Sequence, residues 1–425
     1  MATYHIETYG CTSNRGESRE IERALRDAGH YRVEGSKAAD VAILNTCTVV
    51  EKTERNMLRR AEELAAETAD LVVTGCMALA QGEQFADLDA QVLHWEDVPA
   101  AVTNGECPTT TPDAEPVLDG VVGILPIARG CLSNCSYCIT KFATGRVDSP
   151  PVEENVEKAR ALVHAGAKEL RITGQDTGVY GWDEGDRKLP ELLDRICAID
   201  GEFRVRLGMA NPGGIHGIHE ELADVFARND ELYNFIHLPV QSGSDDVLGA
   251  MRRQHRVGKF EAIVETFDER LDHWTLSTDF IVGFPTETDA DHERSMALLE
   301  SIRPDKINVT RFSKRPGTDA AEMKGLGGTI KKERSKAMSE LKREICTETH
   351  AEMVGETHEV LVVEDGTGDS VKARDEAYRQ VILTDATARG IEIGDVLEVE
   401  ITAHEAMYCF GEPLETHRKQ PAGGV

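Results

Sequence analysis

Short apolar runs alternate with amphipathic stretches over the first hundred residues. The apolar runs are "YHIET" (4–8), "DVAILNT" (40–46) and "DLVVTG" (70–75). Between them, apolar positions recur every three or four residues at about 17–29 and 52–67, which is the period of an amphipathic helix. This β-α alternation predicts an open parallel sheet covered by helices.

A second, longer alternation runs from about residue 121 to residue 312. Its six apolar runs are "VVGILPIA", "ELRIT", "FRVRLGM", "NFIHLPV", "WTLSTDFIVG" and "KINVTRF". A polar or glycine-bearing segment follows each run, which is where α/β barrels carry their functional groups. Six such units favour a partial TIM-like (βα)6 barrel, while the pattern alone leaves a doubly wound sheet open as the alternative.

The pattern changes again in the last quarter of the chain. "KKERSKAMSELKRE" (331–344) predicts a basic helix, and short β-like runs broken by "GTGD" and "RGIEIGD" follow it. Their number and spacing predict a small five-stranded barrel.

These patterns divide an α/β chain into three domains. The predicted segments are an N-terminal domain (1–103), a linker (104–120), a barrel domain (121–345), a small all-β barrel (346–412) and a disordered tail (413–425). The linker is assigned from its content of proline, threonine, glycine and acidic residues.

Composition adds a strong negative charge. The 425 residues include 76 acidic and 47 basic side chains, for a formal net charge of −29. The acidic residues are spread through every segment, which is typical of adaptation to high salt, where the screening length falls to ~3 Å at 1 M. The net charge therefore does not argue against an anionic partner such as RNA. Whether the chain binds RNA must be judged from local basic patches.

The chain has the character of a soluble cytoplasmic protein. No apolar run reaches the ~18–20 residues that a membrane span needs, and the N-terminus lacks the pattern of a signal peptide. A reducing compartment disfavours structural disulfides, so clustered cysteines indicate metal binding or catalysis. We expect no membrane partner.

Three of the ten cysteines occupy equivalent positions in the N-terminal domain. Cys11, Cys47 and Cys76 each come directly after a predicted strand. Loops at the carboxyl edge of an open α/β sheet gather and bind ligands, so these cysteines can converge on one site. Three unrelated buried thiols remain the alternative.

A second set of cysteines is close together in sequence. Cys131, Cys135 and Cys138 form a C-x3-C-x2-C array after the first strand of the barrel pattern. A structural zinc site usually has four ligands, and no fourth cysteine or histidine stands nearby. A four-iron cluster held by three thiolates would keep one iron open for a ligand. The array resembles that of the radical S-adenosylmethionine enzymes, in which an aromatic residue such as Tyr137 often precedes the last cysteine.

The resemblance narrows when the rest of the chain is included. "YGCTSN", "NTCTV" and "TGCMA" resemble the N-terminal domain of the methylthiotransferases, and so do "LPVQSGSDDVLGAMRR", "STDFIVGFPTET" and "RFSKRPGTDAA" farther on. The last barrel resembles a TRAM domain, an RNA-binding module. "CSYCIT" followed by "ANPGGI" is similar to the archaeal and eukaryotic branch that modifies threonylcarbamoyladenosine in transfer RNA.

This resemblance implies an enzyme, a radical transferase that adds a methylthio group to carbon 2 of N6-threonylcarbamoyladenosine next to the anticodon. It implies two 4Fe-4S clusters and S-adenosylmethionine as cofactors, and transfer RNA, a one-electron reductase or ferredoxin and a sulfur donor as partners. The implied ligands are Cys131, Cys135 and Cys138 for the radical cluster and Cys11, Cys47 and Cys76 for the auxiliary cluster.

Further cofactor candidates lie after the predicted strands, where the resemblance implies cofactor contacts, and the RNA-binding candidates are basic residues at the mouth of the last strand and between the two barrels. The cofactor-binding candidates are Tyr137, Gly174, Gln175, Asp176, Gln241, Ser242 and Gly283. The RNA-binding candidates are Arg311, Arg315, Lys331, Lys332, Arg334 and Lys336. A carboxylate such as that of Asp176 suits an ammonium group, and basic side chains suit phosphates, but turn residues and a solvated helix face would show the same pattern.

Several other basic, cysteine and histidine residues are not assigned to a site. Arg252, Arg253 and Arg256 form another basic knot. Cys197, Cys346 and Cys409 fit packing positions, and His237 fits the core. Alternative functions are methylthiolation of a ribosomal protein side chain, a non-catalytic iron–sulfur protein that binds RNA, and a zinc-binding RNA protein.

Overall fold

The N-terminal segment is a parallel sheet covered by helices. A computed structural model describes residues 1–48, 51–103, 105 and 115–418. The strands are β1 (Thr3–Thr8), β2 (Tyr31–Arg32), β3 (Val41–Thr46), β4 (Asp70–Gly75) and β5 (Gln91–Val92), and the helices are α1 (Thr12–Asp27), α2 (Glu51–Glu67), α3 (Cys76–Ala80) and α4 (Val98–Val102). The strand order is β2-β1-β3-β4-β5, with every pair parallel. This is the predicted open sheet, and only the two-residue edge strands β2 and β5 escaped the sequence pattern.

Six parallel strands follow in the second segment. They are β6 (Val122–Pro126), β7 (Glu169–Thr173), β8 (Arg204–Arg206), β9 (Phe235–His237), β10 (Thr275–Val282) and β11 (Lys306–Arg311). The helices are α5 (Lys141–Thr144), α6 (Val152–His164), α7 (Leu189–Cys197), α8 (Pro212–Ile215), α9 (His219–Arg228), α10 (Asp245–Ala250), α11 (Val257–Arg270), α12 (Asp289–Ile302), α13 (Asp319–Glu322) and α14 (Gly328–Glu352).

These six strands form an open half-barrel. Two three-stranded sheets, β6-β7-β8 and β9-β10-β11, are joined by backbone hydrogen bonds around Val205. Its N–H donates to the Glu231 carbonyl over 2.7 Å, and its carbonyl accepts from the Tyr233 N–H over 2.9 Å. The partial (βα)6 barrel is therefore confirmed, and the doubly wound alternative is wrong.

Alternation along the strands separates an apolar outer face from a polar inner face. On β7, Leu170 and Ile172 belong to the apolar core that packs against the helices. Successive strand residues point to opposite faces, so Glu169 and Arg171 face the interior of the half-barrel. The interior is thus lined by charged and polar groups rather than filled by a core.

The last segment is a closed five-stranded barrel. Its elements are β12 (Thr357–Asp365), β13 (Ser370–Asp375), β14 (Gln380–Thr384), α15 (Ala386–Arg389), β15 (Val396–His404) and β16 (Cys409–Arg418). The order is β12-β13-β14-β16-β15. The strand β16 continues past residue 412, where the sequence predicts the tail to begin, and the 25-residue helix α14 crosses the predicted boundary at residue 345.

Several smaller expectations can be compared with the structure. Cys197, Cys346 and Cys409 are buried in packing positions, as the sequence predicts. Cys107 and most of the predicted linker lie outside the described residues, as do residues 419–425. None of the described helices combines the length and the apolar character that a membrane crossing requires.

The hairpin between β13 and β14 closes the amino end of the half-barrel. The Tyr378 ring lies 5.0 Å, centroid to centroid, from the rings of both Tyr233 and Phe235. The Lys306 ammonium donates to the Tyr378 carbonyl over 2.8 Å, and the Asn234 N–H donates to the Glu376 carbonyl over 2.9 Å. Phe235 and Lys306 begin their strands, so the small barrel forms a floor and leaves the carboxyl ends of the strands for chemistry.

The N-terminal sheet docks beside the first strands of the half-barrel. Helix α1 packs against β6 and β7. The Ser13 hydroxyl lies 2.9 Å from the Thr173 hydroxyl at the end of β7, and the Arg19 guanidinium pairs with Asp119 at 2.8 Å. Because α1 starts immediately after Cys11, this contact places the edge of one sheet next to the edge of the other.

The floor also carries a perturbed lysine. Burial, followed by the charges of Arg374 and Arg206, lowers the pKa of Lys306 to about 7, although Asp375 and Asp305 act in the opposite direction. An unfolded lysine has a pKa of about 10.4. Between these two values the unfolded chain binds more protons than the folded chain, so stability rises with pH in this window.

We predict that a Lys306→Met variant loses this pH dependence. The free energy of unfolding of the wild type, relative to the variant, should increase from about pH 7 to about pH 10. Denaturant unfolding at several pH values measures this difference. The exposed Lys158, replaced in the same way, serves as the control and should leave the slope unchanged. Parallel curves for the wild type and Lys306→Met would show that Lys306 does not titrate in this window.

Candidate metal centres and active site

The first candidate centre lies at the carboxyl edge of the N-terminal sheet. Cys11, Cys47 and Cys76 follow β1, β3 and β4, which are neighbours in the sheet. Burial raises the pKa of Cys76, and Glu17, Cys11 and Cys47 raise it further. The three thiols therefore share one local environment, although they are far apart in sequence.

Two glycines allow the backbone to turn at this edge. Gly10 and Gly75, which immediately precede Cys11 and Cys76, have φ angles of +121° and +89°. A Cβ atom on Gly10 would lie 2.8 Å from the Cβ of Cys47, and one on Gly75 would lie 2.4 Å from the Thr46 carbonyl. A side chain at either glycine would thus push the cysteine loops apart.

An asparagine pair that the sequence analysis did not identify joins two of these loops. The Asn14 amide donates to Asn45 Oδ1 over 3.0 Å, and the Asn45 amide donates to the Asn14 carbonyl over 2.9 Å. Asn14 Oδ1 also accepts the Cys11 N–H over 3.3 Å. The signal in the sequence is only that each asparagine lies two or three residues from a cysteine.

This arrangement fits a metal cluster. A buried thiol such as that of Cys76 resists ionisation, so a thiolate there needs a nearby positive charge. A metal centre supplies that charge and deprotonates its coordinating thiols. Three converging thiols provide three ligands and leave a coordination position for another group.

The second candidate centre is the loop after β6. The Ser133 N–H points to the Cys131 sulfur over 3.3 Å, and the Ser136 hydroxyl donates to the Ala250 carbonyl over 2.8 Å. These bonds fold the loop around its cysteines and fix it to the end of α10. Burial, followed by the carboxylate of Asp176, raises the pKa of Cys131 to about 11. Here too, thiolates would need the positive charge of a metal centre.

Arg253 brings one positive charge to this loop. Its Nη1 lies 3.6 Å from the Cys135 sulfur, and its Nη2 donates to the Pro239 carbonyl over 3.0 Å and to the Asn211 side chain. Its neighbours in the basic knot remain exposed, with Arg252 paired to Asp319 at 2.6 Å. The sequence shows only a group of neighbouring arginines after a helix, and such a group does not show which side chain turns inward.

Asp176 is buried and strongly hydrogen-bonded. Its Oδ1 accepts the Asn211 N–H over 2.9 Å and the Gly178 N–H over 3.1 Å, and its Oδ2 accepts the Asn211 amide over 2.7 Å. Burial raises its pKa, and these hydrogen bonds act in the opposite direction. The carboxylate therefore holds Asn211, which in turn contacts Arg253.

The neighbouring glutamines have unused acceptors. The Oε1 atoms of Gln175 and Gln241 are shielded from solvent and have no hydrogen-bond partner within the described residues. Gln241 has a φ of +72°, and its backbone N–H donates to the Asp279 carbonyl over 2.8 Å. Buried amide oxygens normally find a donor, so both are suited to a bound polar ligand.

The remaining cofactor candidates lie around the same rim. Gly174 follows β7 and approaches the Ala128 carbonyl. The Tyr137 ring meets Phe284 edge-on at 6.4 Å, and the Ser242 hydroxyl accepts the Ser244 N–H over 3.2 Å. Gly283, with a φ of +73°, precedes Phe284.

The six predicted RNA-binding residues differ in how far they are exposed to solvent. Arg311, Lys332 and Lys336 are exposed. Lys331 lies across Gly283 and donates to the Phe312 carbonyl over 3.2 Å. Arg334 is buried and pairs with Asp289 at 2.6 Å. Only the exposed three present their charge on the surface.

Arg315 links the two domains through a buried ion pair. Its Nη1 lies 2.7 Å from Glu54 Oε2, with the side chains 7% and 10% exposed. The other oxygen of Glu54 accepts from the Thr48 hydroxyl over 2.6 Å and from the Gln81 amide over 2.9 Å. Thr48 follows Cys47, and Gln81 follows the helix that begins at Cys76. One carboxylate thus ties two cysteine loops to the segment after β11.

We predict that a Glu54→Gln variant is strongly destabilised, because it removes the charge opposite a buried guanidinium. Breaking a buried pair typically costs about 3–5 kcal/mol of unfolding free energy. Denaturant unfolding measures the loss, and Asp319→Asn, which breaks the exposed pair with Arg252, is the control at about 1 kcal/mol or less. Equal losses for the two variants would contradict a special role for the buried pair.

Two families match parts of the chain. Residues 125–299 match the family described as the Radical SAM superfamily, and residues 3–95 match the one described as "Uncharacterized protein family UPF0004". The first match includes the cysteine loop after β6, and the second includes all three N-terminal cysteines.

Similar proteins span nearly the whole chain. One from Archaeoglobus fulgidus, named "Probable threonylcarbamoyladenosine tRNA methylthiotransferase", is 37% identical over 96% of this chain and 97% of its own. One with the same name from Pyrococcus abyssi is 36% identical over 97% and 100%. The "Threonylcarbamoyladenosine tRNA methylthiotransferase" of Drosophila melanogaster is 33% identical over 97% and 78%.

Solved structures share the fold at low identity. The radical S-adenosylmethionine methyltransferase TsrM from Kitasatospora setae has a TM-score of 0.56 and 14% identity, over 75% of this chain and 76% of its own. The cobalamin-dependent S-adenosylmethionine radical enzyme OxsB has a TM-score of 0.53 and 11% identity, over 81% and 56%. The likeness supports the arrangement of sheet domain and half-barrel.

Proposed function

The chain belongs to the family of the threonylcarbamoyladenosine tRNA methylthiotransferases, and from this premise we propose that it adds a methylthio group to carbon 2 of N6-threonylcarbamoyladenosine, next to the anticodon of transfer RNA. The observation that carries the proposal is the proximity of two three-cysteine arrays. Helix α3, which begins at Cys76, packs against α5, which begins three residues after Cys138. A reaction that needs two centres at one substrate requires this placement.

The cofactors follow from the two arrays. Cys131, Cys135 and Cys138 would hold the radical cluster, and Cys11, Cys47 and Cys76 would hold the auxiliary cluster. The two 4Fe-4S clusters and S-adenosylmethionine supply the electron, radical, sulfur and methyl chemistry that side chains lack. An external one-electron reductase or ferredoxin and a sulfur donor complete the proposed partners, and the cytoplasm is the proposed compartment.

Side chains of this protein position the reactants. Gln175 and Gln241 offer unused acceptors to the ammonium or the hydroxyl groups of S-adenosylmethionine, and Asp176 holds Asn211 beside them. Arg253 places a positive charge next to the Cys135 sulfur, where it stabilises negative charge. Tyr137, together with three small rim residues, shapes the edge of the pocket; these are Gly174, Ser242 and Gly283.

The basic residues would act in two ways. The exposed Arg311, Lys332 and Lys336 would meet phosphates of the RNA. The other three, two buried and one partly buried, would hold the loops that form the mouth; these are Arg315, Arg334 and Lys331. The small barrel would add RNA contacts, as its resemblance to the TRAM module suggests.

We predict that cells lacking this gene lose 2-methylthio-N6-threonylcarbamoyladenosine and accumulate the nucleoside without the methylthio group. Mass spectrometry of nucleosides from total transfer RNA measures both. A wild-type copy and a Cys197→Ala copy should restore the modification, because Cys197 is a packing residue on α7, whereas a Cys131→Ala copy should not. An unchanged nucleoside profile would contradict the transfer RNA assignment and would direct attention to ribosomal proteins.

We also predict that the two arrays bind iron independently. The wild type, reconstituted without oxygen, should contain about eight iron atoms per chain, and replacing all three cysteines of either array by alanine should leave about four. Iron analysis and electron paramagnetic resonance measure this, with Cys197→Ala as the control. Zinc in place of iron, or an unchanged iron content in either triple variant, would rule out that assignment of ligands.

A further inference from the structure

The floor of the half-barrel contains an arginine, Arg206, that has no anionic partner among the residues the structure describes. Arg206 lies opposite Arg171 in the register of β8 and β7. Its guanidinium carbon lies 5.0 Å from the centre of the Phe235 ring and 5.5 Å from that of the Tyr378 ring. Within the described residues, the half-buried Arg206 side chain makes no hydrogen bond and no ion pair, and its Nε is shielded from solvent. Its N–H donors are therefore unused.

The carboxylates around Arg206 are occupied by other groups. Glu169 accepts from Arg171 Nε over 2.5 Å with one oxygen and from the Tyr233 hydroxyl over 3.0 Å with the other. Farther along the floor, Glu364 accepts from Arg374 over 3.0 Å. These ion pairs balance their own arginines and leave the charge of Arg206 in excess.

The pKa of Arg206 reflects both its burial and the charges around it. Burial lowers the pKa of Arg206, and the charges of Arg171 and Arg374 contribute in the same direction, while Tyr378 and Glu169 oppose it. A half-buried guanidinium whose Nε is shielded from water is costly without a counter-ion, since charges removed from water are normally paired. A bound anion would remove this cost.

The position of Arg206 suggests which anion. Five residues after Arg206, at the carboxyl end of this strand segment, Asn211 contacts Asp176 and Arg253 near the cysteine loop. Between that level and the floor, the interior is lined by polar side chains, with His237 Nε2 3.1 Å from Asp279 Oδ1 and the Asn308 amide donating to the same oxygen over 2.8 Å. A base that enters at the mouth would direct a long substituent toward Arg206.

We propose that Arg206, assisted by Arg171, binds the carboxylate of the threonyl group of the substrate nucleoside. The proposal rests on the proposed function, because N6-threonylcarbamoyladenosine carries a carboxylate that adenosine lacks. A planar guanidinium binds a carboxylate through two parallel hydrogen bonds. The substituent on N6 would then lie toward the floor of the half-barrel, while carbon 2 stays near the two cysteine arrays.

This arrangement would make the protein select the threonylcarbamoyl nucleoside over adenosine, because binding adenosine would leave Arg206 unpaired. An unmodified adenosine would fill the mouth and leave the half-buried Arg206 without an anion. Sites built to bind a polar group discriminate strongly against analogues that lack it, because their own polar groups stay unpaired. The same arginine thus favours the threonylcarbamoyl nucleoside and disfavours adenosine.

The test measures binding of two anticodon stem-loop RNAs to the full chain, one with N6-threonylcarbamoyladenosine and one with adenosine at the same position. The wild type should prefer the modified RNA. Arg206→Gln should lose about tenfold or more in affinity for the modified RNA and little for the unmodified one. Arg206→Lys should keep part of the preference, and Arg204→Gln, two residues earlier and paired with Glu359 at 2.8 Å, should keep all of it.

A denaturant unfolding measurement checks that the Arg206→Gln variant used for RNA binding is folded. Because Arg206 lacks an ionic partner in the described chain, Arg206→Gln should unfold at the same denaturant concentration as the wild type or at a higher one. If Arg206→Gln weakens both RNAs equally, or neither of them, the carboxylate site is overturned.

Methylthio transfer by the reconstituted enzyme separates this inference from the proposed function. If the wild type binds the modified RNA selectively through Arg206 but transfers no methylthio group, the proposed function fails and the carboxylate site stands. If transfer occurs and Arg206→Gln has the same kcat and KM as the wild type, the site is overturned and the function stands.

Discussion

The packing of α1 against β6 and β7 determines where both candidate centres lie. A parallel sheet collects its carboxyl-end loops at one edge, so each of the two sheets gathers its functional residues along a single line. Helix α1 starts directly after Cys11, and Ser13 meets Thr173 at the end of β7. This contact brings the two lines together, and cysteines that are up to 127 positions apart (11 to 138) become parts of one region.

Ion pairs between domains reinforce that placement. The buried pair of Glu54 and Arg315 connects the loops after Cys47 and Cys76 to the mouth of the half-barrel. Arg253 turns inward to the Cys135 sulfur, whereas its neighbour Arg252 stays on the surface. Basic side chains in this protein therefore serve partly to hold the centres together, even though the chain as a whole is acidic.

The half-barrel is open along one side and polar inside, and this combination makes it suitable for a substrate. The small barrel inserts Tyr378 at the amino end of the strands and closes the floor. Because the strand alternation sends Leu170 and Ile172 to the helices, Arg171 and Arg206 lie on the inner face. Glu169 pairs with Arg171, whereas Arg206 has no ion pair within the described residues. The floor is thus both the interface with the small C-terminal barrel and the place where an anionic substituent would be stabilised.

The sequence by itself determined the elements and the candidate ligands, because strand and helix periods and cysteine spacing are local properties. The strand "ELRIT" and the array from Cys131 to Cys138 needed no partner to be recognised. Which side chains meet was decided only by tertiary structure, since pairing depends on residues that are distant in sequence. The sequence predicts Arg315 as an RNA-binding residue, whereas in the structure its guanidinium pairs with Glu54 of the N-terminal domain. Nothing in the run "FRVRLGM" distinguishes Arg206, and only the half-barrel places its side chain beside Phe235 and Tyr378 with no carboxylate paired to it among the described residues.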